Sequence, residues 1–194
     1  ICDLMREALK ACGAPEDLVI SMDSPSMEGT AELMKQCDRI LATGGAPMVK
    51  SAYSSGTPAL GVGAGNAVIT VDDTADLDEA AEKIRISKTL DLAASCSSDN
   101  AVIAFESNVE ALLEKLQAQG GYICNAEEKA KLQGIIWEDG HIAARIVAQP
   151  ATVLAEMSGI DLPEGKTFFI VPETGAGPEH PFSGEKMSVV MAFY

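Results

Sequence analysis

Cys96 is the residue of this sequence best suited to covalent chemistry. It lies in the run DLAASCSSDNAVIAF, among small and hydroxylic residues and directly before a strand-like apolar run. A thiol in a polar loop is accessible to a substrate carbonyl, and its surroundings can stabilise the thiolate. The N–H of the next residue, Ser97, is a natural donor to an oxyanion formed there. A buried, inert thiol is the alternative, and Cys124, in a loop, is the rival nucleophile.

Two glycine clusters upstream of Cys96 indicate close approaches of the backbone. The turn Thr43–Gly45 stands between a predicted strand and a predicted helix, where backbone N–H groups can bind a phosphate. A tight turn without a ligand is the alternative reading. In the second cluster, Gly61, Gly63 and Gly65 alternate along a strand-like run. Such glycines weaken a strand and usually mark a place where a ligand or another backbone comes close.

Near the end, the loop PEHPFSGEKM carries Glu185 ahead of an apolar run. Loops that border strands often supply ligand contacts, although a surface glutamate is the simpler interpretation. His141 and His180 stand in unrelated local contexts, so no Cys-His-Asn protease pattern is evident. We expect no metal site, because the sequence has neither a CxxC pair nor a histidine cluster.

Composition restricts the classes of protein to consider. The 194 residues are 47% hydrophobic and 22% charged, which favours a packed globular protein. A net charge of -15 argues against a nucleic-acid surface, and no apolar run is long enough to span a bilayer. Five scattered cysteines indicate reduced thiols and a cytoplasmic location. The chain opens inside a helical pattern and stops inside an apolar run, so we expect it to be an internal piece of a longer protein.

Hydrophobic periodicity predicts strands that alternate with helices, and hence an α/β fold with a mainly parallel sheet. Asp72 and Asp73 are predicted to cap the fourth helix. The predicted helices are 4–12, 27–36, 46–55, 77–90, 108–119, 126–132 and 151–158, and the predicted strands are 18–21, 39–42, 59–62, 67–71, 101–105, 142–147, 167–171 and 188–194. The glycine-rich part gives way to the cysteine-bearing part near residue 66. We therefore predict two domains, 1–66 and 67–194.

Three sequence blocks together resemble a known family. ILATGGAPMVKSAYSSGTPALGVGAGN, then SKTLDLAASCSSDNAVIAFE, then PEHPFSGEKMSVVMAFY are similar, in order and spacing, to the coenzyme-A-acylating branch of the aldehyde dehydrogenase superfamily. The resemblance implies that residues 1–66 are the end of a Rossmann-type nucleotide-binding domain. Residues 67–194 would then be a catalytic domain truncated at its C-terminus.

The resemblance also implies a reaction. Members of that branch oxidise a small aldehyde with NAD or NADP and pass the acyl group to coenzyme A, reversibly. Cys96 matches their catalytic cysteine, and the N–H of Cys96 or Ser97 would hold the oxyanion. Gly61 stands where hydrolytic members carry the glutamate that activates water, and its loss favours a thiol acceptor.

Cofactor residues follow from the same resemblance. Thr43, Gly44 and Gly45 match the cofactor-binding turn, Gly61 and Gly63 are assigned to the same site, and Glu185 matches the glutamate that holds the nicotinamide ribose. The parent enzyme would be a homo-oligomer in the cytoplasm or in a bacterial microcompartment, with no nucleic-acid or membrane partner.

Departures from the family pattern leave alternatives open. Ser188-Val189 replaces the usual Ser-Pro after the glutamate, and Ser95 to Ser98 differ from the Ile-Cys-Ala-Ser of the bifunctional aldehyde-alcohol enzymes. The second difference favours small anionic aldehydes such as sulfoacetaldehyde or succinate semialdehyde. A hydrolytic aldehyde dehydrogenase and a non-catalytic nucleotide-binding or assembly module are the two rival readings. We also expect the isolated 194 residues to be inactive.

Overall fold

Parallel strand pairing organises both halves of the chain. The computed structural model describes residues 1–194 and divides them into two units, Ile1–Gly63 and Ala64–Tyr194. The first unit contains α1 (Cys2–Ala11), α2 (Met27–Gln36), β1 (Ile40–Thr43), α3 (Ala46–Ser54) and β2 (Ala59–Val62). The predicted α/β class with a mainly parallel sheet is confirmed.

In the first unit, β1 and β2 form a two-stranded parallel sheet from the pair Ile40 and Ala59 to the pair Thr43 and Val62. Its small core contains Met34 of α2 and Ala52 of α3. Helix α2 begins at a favourable cap, because the Ser26 side chain accepts a hydrogen bond from the N–H of Gly29.

The second unit is built on a five-stranded sheet in the order β3-β4-β9-β8-β5, in which every pair of neighbours is parallel. The interior strands β8 and β9 are almost wholly buried, as expected for a parallel sheet covered on both faces. Its elements are β3 (Ala67–Val71), α4 (Leu77–Thr89), β4 (Asp99–Ala104), α5 (Val109–Ala118), β5 (Gly121–Ile123), α6 (Ala126–Ile136), β6 (Trp137–Glu138), β7 (His141–Ile142), α7 (Ala151–Ser158), β8 (Phe168–Pro172) and β9 (Val190–Phe193).

Two predicted strands are wrong. Residues 18–21 form no strand, because no other strand pairs with this apolar run. Leu18 instead ends a 3-10 helix, and its side chain is mostly exposed. Residues 142–147 give only the two-residue strand β7, which pairs with β6 in a hairpin. Asp139 and Gly140 both have positive φ at the turn, as an Asp-Gly hairpin requires. Residues Ala144–Ile146 then form a 3-10 helix.

The cap predicted for α4 is also wrong. The carboxylate of Asp76 accepts hydrogen bonds from the N–H groups of Asp78 and Glu79, so the helix begins at Asp76. Asp72 instead closes a local turn by accepting from the N–H and the hydroxyl of Thr74. Strand β5, with only three residues, escaped prediction because its apolar run is too short to show a period.

None of the seven helices combines the length and the apolar composition that a membrane crossing requires.

Candidate active site

A strained bend delivers the chain from α4 to Cys96. Three consecutive non-glycine residues, Asp91, Leu92 and Ala93, have left-handed backbones with φ of 48°, 53° and 57°. This conformation costs roughly 1–2 kcal/mol per residue with a side chain, because Cβ crowds the backbone. Such strain persists only where the surrounding structure imposes it, and it concentrates at functional sites.

Cys96 lies inside a tight turn and is exposed. The turn closes with a hydrogen bond of 3.0 Å from the N–H of Ser98 to the carbonyl of Ser95. The hydroxyls of Ser95 and Ser97 lie 2.9 Å apart, and the N–H of Ser97 donates to Ser95 Oγ at 3.4 Å. The N–H of Cys96 donates no hydrogen bond within the chain. Of the two predicted oxyanion donors, Cys96 N–H is therefore the one left free.

The segment after the turn is buried and anchored from α4. The N–H of Asp99 donates to Ser87 Oγ at 3.2 Å, and Lys88 Nζ donates to the Asp99 carbonyl at 2.9 Å. The Lys88 side chain is fully buried. Burial lowers the pKa of Lys88 to about 7, although the charge of Asp99 opposes that shift. Burial likewise raises the pKa of Asp99, which Ser87 and Lys88 oppose.

Gly65 lies directly beside Cys96, and Asn66 follows it along the chain. A Cβ on Gly65 would come within 2.7 Å of the Cys96 carbonyl oxygen, so only glycine allows this close approach. The side chain of Asn66 donates to the carbonyl of Ser183 at 2.9 Å, in the loop that carries Glu185. The third glycine of the second cluster thus marks an approach of the backbone to the backbone of the candidate nucleophile.

Glu185 lies in the wall of a cavity. It is half-buried, forms no hydrogen bond or salt bridge within the chain, and lines a cavity of about 370 Å³. The cavity wall also includes Trp137, whose ring packs edge-on against Phe182 with centroids 4.9 Å apart. A free carboxylate at the rim of a cavity can accept hydrogen bonds from ligand hydroxyls.

In the first unit, the turn Thr43–Gly45 links β1 to α3 as predicted. Gly44 N–H extends the ladder by donating to the Val62 carbonyl at 3.1 Å, and Gly45 is the N-cap without a side-chain cap. Pro47 has no N–H, and the N–H groups of Met48 and Val49 donate to the Gly45 carbonyl, so Gly45 and Ala46 are left with N–H groups available to an anion. Those groups fit the phosphate of a nucleotide cofactor.

Gly61, in β2, packs against the preceding helix α3. A Cβ there would lie 2.5 Å from Val49 Cγ1 and 2.8 Å from Tyr53 Cε2, while Gly61 N–H donates to the Tyr53 hydroxyl at 3.0 Å. A Cβ on Gly63 would meet no atom within 4 Å. The close approach predicted at Gly61 is thus made by the side chains of Val49 and Tyr53 in the same unit. Contacts of Gly61 and Gly63 with a cofactor stay predictions.

Cys124 is a poor rival for the role of nucleophile. It is 3% exposed, and burial, assisted by the charge of Glu128, raises the pKa of its thiol to about 12. A thiol of that kind stays protonated and unreactive at neutral pH. Cys12 is also exposed, but it lies in the first unit, in the turn with Gly13 that ends α1.

Sequence reasoning missed the roles of Lys88, of Asn66 and of Asn100, whose buried side chain donates to the Ser98 carbonyl at 3.3 Å. Lysine and asparagine are ordinary surface residues, so nothing in the sequence separates these three from solvated ones.

His180 lies beside Glu173 and not beside Cys96 in the hydrogen-bond network. Its ring Nδ1 is 3.4 Å from Glu173 Oε1, and Glu173 also pairs with Lys129. Burial would raise the pKa of Glu173, but the hydrogen bonds from Lys129 and His180 lower it.

Comparison with known proteins identifies the kind of chain that this fold and turn define. The chain matches no protein-family profile. It is 44% identical over 185 residues to an acylating sulfoacetaldehyde dehydrogenase of Cupriavidus necator, which covers 94% of this chain and 38% of that protein. It superposes with a TM-score of 0.92 and 42% identity on an acetylating aldehyde dehydrogenase from Geobacillus thermoglucosidasius, covering 100% of this chain and 43% of that one.

A third relative is a Rhodopseudomonas palustris propionaldehyde dehydrogenase with bound propionyl-CoA, with a TM-score of 0.85 and 29% identity over 98% of this chain and 42% of that one. The fold is that of the aldehyde dehydrogenases. The chain is homologous to the acylating branch of that superfamily and spans about two fifths of the length of these relatives. The resemblance seen in the sequence is confirmed, and the hydrolytic reading is not favoured.

The strained bend gives a stability prediction. Asp91 has φ 48° and an exposed side chain, so Asp91→Gly removes the left-handed penalty whereas Asp91→Ala keeps it. Both changes remove the same carboxylate, so the two variants differ only at Cβ. We expect urea unfolding to show Asp91→Gly as the more stable variant by about 1 kcal/mol. Equal losses of stability in both variants would show that the bend is unstrained.

Lys88 gives a pH prediction. The pKa of Lys88 is about 7 in the folded chain and 10.5 in a free lysine. Between those values the unfolded chain holds a proton at Lys88 that the folded chain has released, so the free energy of unfolding rises with pH. We expect wild type to gain about 1 kcal/mol per pH unit relative to Lys88→Met between about pH 7 and 9. The matched control is Lys50→Met at an exposed lysine, which should show no such slope.

Proposed function

We propose that this chain carries the nucleophile and the cofactor turn of an enzyme that oxidises a small aldehyde to an acyl-CoA with NAD or NADP. Residues 1–66 belong to the nucleotide-binding domain and residues 67–194 to the catalytic domain. The observation that carries the proposal is the exposed Cys96 with its free N–H, in a chain homologous to acylating aldehyde dehydrogenases.

Cys96 performs the covalent steps. Its thiolate adds to the aldehyde carbon, forming a C–S bond and placing negative charge on the former carbonyl oxygen. The N–H of Cys96 donates to that oxygen and stabilises the charge as it develops. Loss of a hydride from the same carbon then leaves an acyl thioester on Cys96. The thiolate of coenzyme A attacks the thioester carbonyl, and Cys96 departs as thiolate, restored for the next cycle.

The cofactor residues follow the turns already described. A bound nicotinamide supplies the acceptor for the hydride. In the turn formed by Thr43, Gly44 and Gly45, the free N–H groups at the start of α3 would hold the cofactor phosphate in the first unit. In the second unit Glu185, free of partners within the chain, would accept hydrogen bonds from the ribose hydroxyls.

Transfer to a thiol rather than to water is supported by Gly61. A hydrolytic enzyme needs a carboxylate to deprotonate the attacking water, and none stands at this position. Val49 and Tyr53 already occupy the space that the Cβ of such a residue would enter. The thioester on Cys96 is therefore hydrolysed slowly and reacts with coenzyme A instead.

The substrate class and setting extend the proposal. The 44% identity to a sulfoacetaldehyde dehydrogenase and the Ser-Cys-Ser-Ser turn favour a small anionic aldehyde. Five cysteines without a disulfide suit a reducing compartment, which is the cytoplasm or a microcompartment lumen. We propose a homo-oligomer there, with an aldehyde and coenzyme A as its partners.

The test uses the complete polypeptide that carries these 194 residues, a panel of small aldehydes, both nicotinamide cofactors and coenzyme A. We expect acyl-CoA as the product, and without coenzyme A an acyl mass on Cys96 by mass spectrometry. Cys96→Ala should reduce turnover by a factor of about 10⁴ or more, since the covalent route is lost. Cys12→Ala, at another exposed thiol, should be as active as wild type.

Two outcomes would contradict the proposal. Formation of the free carboxylic acid at the same rate with and without coenzyme A would establish the hydrolytic alternative. Unchanged reduction of the cofactor by Cys96→Ala would remove Cys96 from the role of nucleophile.

A further inference from the structure

Lys186 is one of two lysines whose side chains are fully buried, the other being Lys88. Neither forms a salt bridge with a carboxylate. Taking a cation out of water is costly, and an apolar residue of similar volume usually serves packing better. A buried lysine without a charged partner therefore calls for another explanation than packing.

The ammonium of Lys186 joins two separate segments. Its Nζ donates to the carbonyls of Asn100 at 3.0 Å, Phe182 at 2.7 Å and Gly184 at 2.7 Å. An ammonium has three protons, so each proton has one acceptor. Asn100 follows the turn of Cys96, whereas Phe182 and Gly184 precede Glu185.

The backbone of Lys186 strengthens the same link. Its N–H donates to Asn100 Oδ1 at 3.2 Å, and Asn100 Nδ2 donates to the carbonyl of Ser98, which closes the turn around Cys96. Met187 then takes a left-handed backbone with φ 45°, and its carbonyl accepts from the N–H of Ala148 at 3.1 Å. Hydrogen bonds of the backbone thus fix Lys186 at its own N–H and at the carbonyl of the next residue, Met187.

Burial and the surrounding carbonyls act in opposite directions on the charge of Lys186. Burial lowers the pKa of Lys186, the nearby charge of Lys88 lowers it further, and Glu173 and Glu185 oppose both effects. The three carbonyl oxygens also favour the protonated amine, because each accepts a hydrogen bond from it.

A second tie joins the same two segments from the surface. Asn66 donates to the Ser183 carbonyl at 2.9 Å, and its neighbour Gly65 lies against the carbonyl of Cys96. Asn66 and Lys186 therefore both hold the loop of Glu185 in place relative to the turn of Cys96.

We propose that Lys186 is a positioning residue, which fixes the place of Glu185 relative to Cys96 by bonding to the backbone of both segments. This inference rests on the proposed function, in which the reacting carbon is bonded to Cys96 and Glu185 orients the ribose. Hydride loss needs the reacting atoms aligned, and a displacement of about 1 Å can cost about a hundredfold in rate.

The test is steady-state kinetics of Lys186→Met in the complete polypeptide, with the concentration of reactive Cys96 thiol measured by titration. Methionine keeps the volume and removes the three donors. We expect kcat per reactive thiol to fall about a hundredfold and KM for the aldehyde to stay within about twofold. The control is Lys166→Met, because Lys166 also donates to a backbone carbonyl, that of Gln117 at 2.8 Å, but contacts neither segment. Its kcat should equal that of wild type.

Asn66→Ala keeps the proposal testable if Lys186→Met does not fold, since it removes an exposed hydrogen bond only. We expect kcat to fall about tenfold with the urea midpoint unchanged. Where both variants fold, the double variant should lose less than the product of the two effects, because both act on one geometry.

Unchanged kcat per reactive thiol in Asn66→Ala, or in a folded Lys186→Met, would overturn the positioning role, even if stability fell. A raised KM with unchanged kcat would overturn it as well. These results are distinct from failure of the proposed function, because in that case wild type itself would form no acyl-CoA from any aldehyde.

Discussion

Hydrogen bonds from two buried lysines to successive backbone carbonyls hold the segment on which the candidate site depends. Lys88 donates to Asp99 and Lys186 donates to Asn100, at the point where the turn of Cys96 enters β4. Strand β4 is flanked by β3 and β9 in the five-stranded sheet, so its start is fixed by the whole second unit. The turn of Cys96 is exposed, yet the residues directly after it, Ser98–Asn100, are buried.

The bend before Cys96 is maintained by the same anchoring. A strained left-handed run at Asp91–Ala93 would relax unless both of its ends were fixed. Helix α4 fixes one end, and the buried segment Ser98–Asn100 fixes the other. As a consequence, the direction of the Cys96 N–H is set by the fold of the surrounding segment, since this N–H donates no hydrogen bond within the chain. A preorganised donor of this kind stabilises developing charge without a cost of reorganisation at the moment of reaction.

Much of this account was predictable from the sequence, because local patterns determine most of the elements. Helix 27–36 and strands 59–62 and 67–71 have the predicted bounds, since their periods and flanking turn residues agree. The strands predicted at residues 18–21 and 142–147 are wrong. A run of β-forming residues becomes a strand only where a partner strand exists, and tertiary contacts decide whether it does. The same limit applies to the site. Cys96 and the turn at Gly44 are marked by their neighbours along the chain, whereas Lys186 becomes informative only once Asn100, which is 86 residues away, lies against it.

The central claim is that Cys96 is a nucleophile because of its surroundings and not because of its exposure alone. The direct measurement is the rate of alkylation by iodoacetamide at near-neutral pH, mapped to each cysteine by mass spectrometry in the complete polypeptide. Cys12 is the matched reference, since it too is an exposed thiol. The account predicts that Cys96 reacts at least about ten times faster than Cys12, and that Cys124, whose thiol is buried, remains unmodified. Alkylation of Cys96 at the rate of Cys12 or more slowly would contradict it.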